Sequence, residues 1–82
     1  MKLNTEIQEY KGIQFKLMYF NAKSNAVRFN LVGSNQNFWL PKSYLESDCT
    51  IRKGCNLDWK FDSKEMQRKL ELTINAWLKE GE

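Results

Sequence analysis

One proline, placed directly after the most aromatic segment of the chain, limits the local structure more than any other residue. Residues 38–45 contain this proline, Pro41, two positions after Trp39. Proline fixes its φ angle, has no N–H to donate to a sheet, and holds the preceding residue in extended geometry. A strand that reaches Pro41 must therefore end there or lie at the edge of a sheet. We predict a strand over 37–40, followed by one 3-10 turn over 42–45.

Two segments before the proline alternate between apolar and polar side chains, which is the period of a strand with one buried face. The sequence predicts strands over 13–20 and 26–32. Turns rich in Asn, Ser and Gly join them to each other and to the strand over 37–40, so the three form an antiparallel meander. The side chains expected on the buried face of the first strand are Ile13, Phe15, Leu17 and Tyr19. Those expected to point outwards from the three strands are Lys16, Met18, Phe20, Arg28 and Trp39.

The C-terminal part of the chain is compatible with two structures. Apolar and polar residues alternate over 57–61, which predicts a fourth strand. The apolar residues between Met66 and Trp77 include four with the spacing of one helical face, and that helix would run over 63–79. Over 70–74, however, apolar and polar residues also alternate as in a strand. The pattern alone leaves both interpretations open.

Two resemblances to known domains bear on this choice. The run from Leu40 to Leu45, Leu-Pro-Lys-Ser-Tyr-Leu, resembles the sequence at the 3-10 turn of SH3 domains, where it precedes the last strand of a barrel. The chain also resembles small barrel domains of phage and plasmid proteins at Ala26-Val27, at Trp39-Leu40-Pro41-Lys42-Ser43, and over 74–80. That family is mostly uncharacterised and is usually associated with nucleic-acid metabolism. The acidic loop and paired tryptophans of peptide-binding SH3 domains have no counterpart, so the resemblance implies a barrel rather than binding of proline-rich peptides.

The resemblances favour the strand over 70–74, with Asn75 as the cap of a short last helix. We therefore predict one domain over 1–82 that is mainly β: a small five-stranded SH3-like or OB-like barrel with a 3-10 turn and a short C-terminal helix. The alternative is an α+β domain in which the antiparallel meander is followed by one long C-terminal helix over 63–79.

Composition argues against catalysis and against a metal or other cofactor. The chain has no histidine, so Ser-His-Asp and Cys-His arrangements cannot be built. Its four glycines are isolated and form no phosphate-binding loop. Cys49 and Cys55 have the wrong spacing for a zinc or redox pair, and we expect two reduced thiols. We predict a protein that is not an enzyme.

Nothing in the sequence indicates a membrane protein. No apolar run approaches the ~18 residues that a transmembrane helix needs. The first residues have no apolar core and carry an acid at Glu6, which is not typical of a secretory signal. We expect a cytoplasmic protein.

We predict a binding module with nucleic acid, single-stranded in preference, as its partner, acting as an accessory protein of a phage or mobile element. In small barrels, basic groups contact phosphates while aromatic rings stack on bases. The predicted nucleic-acid-binding residues are Lys16, Lys23, Arg28, Trp39, Lys42, Tyr44, Arg52, Lys53 and Lys60. The net charge of +3 is also compatible with an ordinary solvated surface. Separately, Trp39 could point inwards beside Trp59 and Trp77, which are expected in or against the core.

The alternative function is that of a small phage-type protein that binds a host protein complex and inhibits or redirects it. Outward apolar side chains on a strand indicate a face that another protein covers. The predicted partner-binding residues are Met18, Phe20 and Trp39.

Overall fold

The computed structural model describes residues 2–80, which form one antiparallel sheet with two helices packed on it. The strands are β1 (Gln8–Tyr10), β2 (Ile13–Tyr19), β3 (Ala26–Leu31) and β4 (Asn37–Pro41), and they lie in the sheet in chain order. A 3-10 helix, Lys42–Tyr44, follows β4 directly. The helices are α1 (Asp58–Phe61) and α2 (Lys64–Glu80). The domain is therefore α+β, which confirms the alternative fold predicted from the sequence.

The predicted meander and the structure around the proline are confirmed. β2, β3 and β4 are the three predicted strands, and each pairs antiparallel with the next. Pro41 is the last residue of β4, which is an edge strand of the sheet. A proline is tolerated there because its missing N–H does not interrupt the hydrogen bonds between strands. The chain turns at once into the 3-10 helix, whose first N–H, that of Lys42, donates to Asn25 O at 2.8 Å.

The strand predicted over 57–61 is wrong, because this segment forms α1. Asn56 Oδ1 accepts a hydrogen bond from the N–H of Asp58 at 2.8 Å, and a side-chain acceptor placed before a helical turn favours its start. Leu57 and Phe61 are both buried. Their spacing of four residues suits one side of a helical turn as well as it suits one face of a strand.

The strand predicted over 70–74 is also wrong, because it lies inside α2. Ser63 begins this helix: its Oγ accepts from the N–H of Met66 at 3.3 Å, and its carbonyl accepts from the N–H of Gln67 at 2.9 Å. Met66 and Thr73 are buried, whereas Leu72 is exposed. The predicted barrel is not closed, since the segments that would have supplied further strands are helical and the four described strands leave β1 and β4 as open edges.

The core lies between one face of the sheet, here called the inner face, and the two helices. Its centre is a group of four phenylalanine rings, in which Phe15 meets Phe29 and Phe38 edge to face at centroid distances of 5.4 and 5.5 Å. Phe61 of α1 lies against Phe15 and Phe38. Full burial of a side chain of this size stabilises the fold by about 1.5–3 kcal/mol. The other buried apolar side chains are Val27, Leu31, Leu40, Leu45, Cys49, Leu57 and Met66.

A hydrogen-bonded group holds α1 against the turn between β1 and β2. Tyr10 Oη donates to Asp58 Oδ1 at 2.7 Å and accepts from the N–H of Leu57 at 2.9 Å. Lys11 Nζ lies 2.8 Å from Asp58 Oδ1 and 2.9 Å from Oδ2. These bonds, with Lys11 as the larger cause, hold the pKa of Asp58 below its ordinary value and raise the pKa of Lys11. They fix the position of the short helix that carries Trp59.

The second half of α2 is held to the turn between β3 and β4 by Trp77. Its indole Nε1 donates to Val32 O at 2.9 Å. The ring lies so close to Gly33 that a side chain there would overlap it, and Gly33 has a φ of +83°.

No helix within residues 2–80 is long and apolar enough to cross a membrane.

Candidate functional site

The face of the sheet opposite the core, the outer face, exposes two aromatic rings with an arginine between them. Tyr19 of β2 is paired with Arg28 of β3, which in turn is paired with Trp39 of β4. Tyr19 is 52% exposed and Trp39 is 44% exposed. The guanidinium carbon of Arg28 lies 5.9 Å from the centroid of the Trp39 ring, within the range of a cation–π contact. We call these three residues the aromatic row.

A polar row lies beside the aromatic row, one side-chain repeat along the strands. Lys16, Asn30 and Asn37 are paired across β2, β3 and β4. Asn30 Nδ2 donates to Ser34 O at 3.0 Å and to Asn37 Oδ1 at 3.0 Å. With the Asn37 amide turned over, its oxygen instead accepts from Arg28 Nη2 at 3.1 Å. Arg28 is half-buried, and its Nε has no hydrogen-bond partner among the described residues.

Trp39 therefore points outwards, as predicted, while Phe38 and Leu40 on either side of it are buried. The same alternation was expected to continue to the end of β2, and there it fails. A β-bulge lies between Leu17, which pairs with Phe29, and Tyr19, which pairs with Arg28. Two residues of β2 thus lie opposite one residue of β3. Every side chain after the bulge therefore lies on the face opposite to the one that regular alternation predicts.

The bulge corrects two predictions. Tyr19, predicted to be buried, lies on the outer face, whereas Phe20, predicted to point outwards, packs against the core. Lys42 Nζ lies 4.6 Å from the centroid of this half-buried ring, and the partner-binding role of Phe20 stays a prediction. Met18, the additional residue of the bulge, is 52% exposed as predicted.

Beyond the aromatic row, Trp39 and Trp59 line an open groove, here called the tryptophan groove. Its volume is about 380 Å³, and its other lining residues are Asn25, Ala26, Pro41 and Lys60. Trp59, expected in or against the core, is 50% exposed. Its ring packs on Tyr44 at a centroid distance of 5.5 Å, so two elements distant in sequence, the 3-10 helix and α1, together form one wall.

Trp59 is the residue of this surface that the sequence interpretation missed. An alternation of apolar and polar residues over 57–61 suggested a buried ring. In a helical turn that buries Leu57 and Phe61, the residue midway between them points to the opposite side, and this is where Trp59 lies. Trp77, also expected in or against the core, lies across the turn at Gly33.

The predicted nucleic-acid-binding residues are divided among several parts of the surface. Lys16, Arg28 and Trp39 share the outer face, while Lys60 and Tyr44 lie at the tryptophan groove or behind it.

The remaining predicted residues lie elsewhere. Lys42 donates to the carbonyls of Asn21 and Ala22 at 2.8 and 3.2 Å, beside the turn that holds Lys23. Arg52 lines a separate depression with Phe20 and Lys42, and Lys53 lies in the turn before Gly54.

The cations of the outer face are available for a ligand. Among the described side chains the ion pairs are Lys11–Asp58 and Lys69–Glu65, and neither contains a residue of this face. Lys16 and Arg28 of this face, and Lys60 at the tryptophan groove, therefore form no ion pair among the described side chains, although Lys60, after Lys69, helps to lower the pKa of Glu65. The thiols are free, and burial raises the pKa of Cys49, so it remains protonated near neutral pH. No cluster of three potential metal ligands occurs in residues 2–80.

Comparisons with models of protein families, with curated proteins and with solved structures found no match to this chain. The resemblance to small barrel domains of phage and plasmid proteins stays a prediction. The chemistry of the outer face is accordingly the basis for the proposal that follows.

Proposed function

We propose that the protein is a non-enzymatic module that binds single-stranded nucleic acid on the outer face of its sheet. The observation that carries this proposal is the aromatic row, in which Tyr19 and Trp39 are exposed on an open sheet on either side of Arg28, with Lys16 in the neighbouring polar row. Exposed aromatic rings on a sheet can stack on unpaired bases, and neighbouring cations can contact the phosphates.

The dimensions of the face suit a short length of single strand. From Asn30 to Ala26 the surface crosses the polar row, the aromatic row and the edge of the tryptophan groove. At ~3.3 Å per residue, this four-residue span of β3 is about 13 Å long. Each stacked base contributes about 1–3 kcal/mol to binding. In a duplex each base is stacked between neighbouring bases, so its faces are not accessible to the rings of the aromatic row.

The first test is a titration followed by tryptophan fluorescence, with a single-stranded and then a duplex oligonucleotide. We expect quenching with the single strand and much weaker binding of the duplex. If Lys16, Arg28 and Lys60 contact three phosphates, raising the salt from about 50 to about 200 mM should weaken single-strand binding roughly 20-fold. An absence of binding at low salt would contradict the proposal.

A charge-matched pair of variants locates the site. Arg28→Glu changes the aromatic row, whereas Arg68→Glu makes the same change in charge on the exposed surface of α2, which packs on the inner face. We expect at least a tenfold loss of affinity for Arg28→Glu and less than a twofold loss for Arg68→Glu. Equal losses would mean that binding responds to net charge and not to this face.

Protein binding is the second candidate, and the residue types of the same face favour it. Aromatic residues, methionine and arginine are enriched at protein interfaces, and Met18, Tyr19, Arg28 and Trp39 occur together here. We propose that in this case the partner is a protein of a host complex. Affinity capture with the wild type and with Trp39→Ala separates the two functions, because a protein partner would be lost with Trp39→Ala yet would survive nuclease treatment.

A further inference from the structure

We propose that the tryptophan groove is a subsite for one unstacked base, whose ring inserts beside Trp39 and Trp59. The inference rests on the proposed function and extends it, because it assigns a specific role to α1 and to a residue outside the sheet. It predicts that the bound strand leaves the aromatic row and turns into the groove at the edge of β4.

The walls of the groove fit the flat faces of a base. Trp39 and Trp59 are each about half exposed, although a tryptophan normally hides most of its surface. Trp59 packs on Tyr44, so the indole has a fixed support on one side. Pro41 and Ala26 complete an apolar surface between the two indoles. A base that enters covers these surfaces without any rearrangement of the core.

Polar groups at the rim fit the rest of a nucleotide. Lys60 lines the groove and forms no ion pair among the described side chains, so its ammonium group can contact the phosphate of a nucleotide. Asn25 also lines the groove; its carbonyl accepts from Lys42, and its side-chain amide has no hydrogen-bond partner among residues 2–80. An amide offers one donor and one acceptor to the edge of a base. The ammonium group of Lys60 favours an anionic ligand over a cationic one.

One wall of the groove is positioned by the hydrogen bonds that attach the start of α1 to the turn between β1 and β2. Tyr10 and Lys11 bind Asp58, and the next residue in the chain is Trp59. These bonds position α1, and with it Trp59, while β4 positions Trp39. A site formed in advance by two rigid elements loses little entropy when a ligand enters.

The test compares two ligands with two proteins. The ligands are a single-stranded oligonucleotide and its abasic counterpart, which has the same phosphates and no bases; the proteins are the wild type and Trp59→Ala. We expect Trp59→Ala to weaken binding of the base-containing strand about five- to twentyfold and to leave binding of the abasic strand within twofold. Trp59→Phe, which keeps an aromatic ring, should recover most of the loss.

The outcomes separate this inference from the proposed function. If Arg28→Glu loses binding while Trp59→Ala does not, the outer face binds nucleic acid and the base subsite is wrong. If Trp59→Ala weakens both ligands equally, its role is structural, and the inference is again overturned. If the wild type binds neither ligand at low salt, both proposals fail. Circular dichroism of each variant verifies that the fold is retained.

Discussion

The inner and outer faces of the sheet are built from the same three strands, yet they contain very different aromatic residues. The inner face buries phenylalanines, which have no polar atom to satisfy. The outer face exposes a tyrosine and a tryptophan on either side of Arg28. Tyrosine and tryptophan combine a large ring with a group that can bond to water or a ligand. The comparison teaches that packing determines the residues of one face, whereas the residues of the other face are open to solvent.

The largest effects should follow from truncating a ring on each face. Phe29→Ala leaves a cavity in the phenylalanine group and should lower the free energy of unfolding by about 3–5 kcal/mol. Trp39→Ala, on the outer face, should lower it by about 1 kcal/mol or less, because it loses mainly a cation–π contact and part-exposed surface. Urea denaturation measures both, and comparable losses would show that Trp39 is a core residue.

A smaller effect is expected where α2 closes over the sheet at the β3–β4 turn. Gly33→Ala introduces a methyl group that overlaps the Trp77 ring and forces a non-glycine residue to a φ of +83°. Backbone strain and overpacking together should cost about 2–4 kcal/mol. Gly12→Ala is the matched control, because Gly12 has a φ of +84° with open space around it. Thermal melting should show a clear difference, and equal melting temperatures would mean that Trp77 moves aside freely.

The smallest effect concerns the attachment of α1 and depends on pH. The hydrogen bond from Lys11, followed by that from Tyr10, lowers the pKa of Asp58 from 3.8. A lowered pKa in the folded state stabilises the fold above pH ~4 and ceases to do so as the pH falls through the folded value. Asp58→Asn should therefore melt a few degrees below the wild type at pH ~7, and the gap should close as the pH falls through the folded-state pKa of Asp58.

Lys11→Met is the companion variant for this measurement. If the two side chains act through one ion pair, it should reproduce most of the neutral-pH loss, and the double variant should lose no more than the larger single loss. A gap between Asp58→Asn and wild type that persisted at low pH would show that the carboxylate charge is not what holds α1.

The sequence was sufficient for three of the four strands and insufficient for β1 and the helices. Period-two alternation over β3 and β4 has one interpretation, because each strand has a continuous buried face. In the C-terminal half, residues two and four apart fit a strand and a helix alike over a few positions. The choice depends on the Ser63 cap and on how Met66 and Thr73 pack on the sheet, and packing is a tertiary property.

The candidate site was predictable to a similar degree. Arg28 and Trp39 follow from strand alternation, and Lys16 joins them for the same reason. Trp59 could not be assigned to the surface while its segment was interpreted as a strand. Tyr19 was missed because no residue near Met18 indicates a bulge, which arises from the fit of β2 to β3 and not from a local sequence preference.

The bulge at Met18 also gives β2 one residue more than regular pairing with β3 requires. A chain without Met18 could pair regularly, with Leu17 opposite Phe29 and Tyr19 opposite Arg28, so both faces would keep their present side chains. Evolution can therefore vary or remove Met18 without changing which rings the two faces of the sheet present.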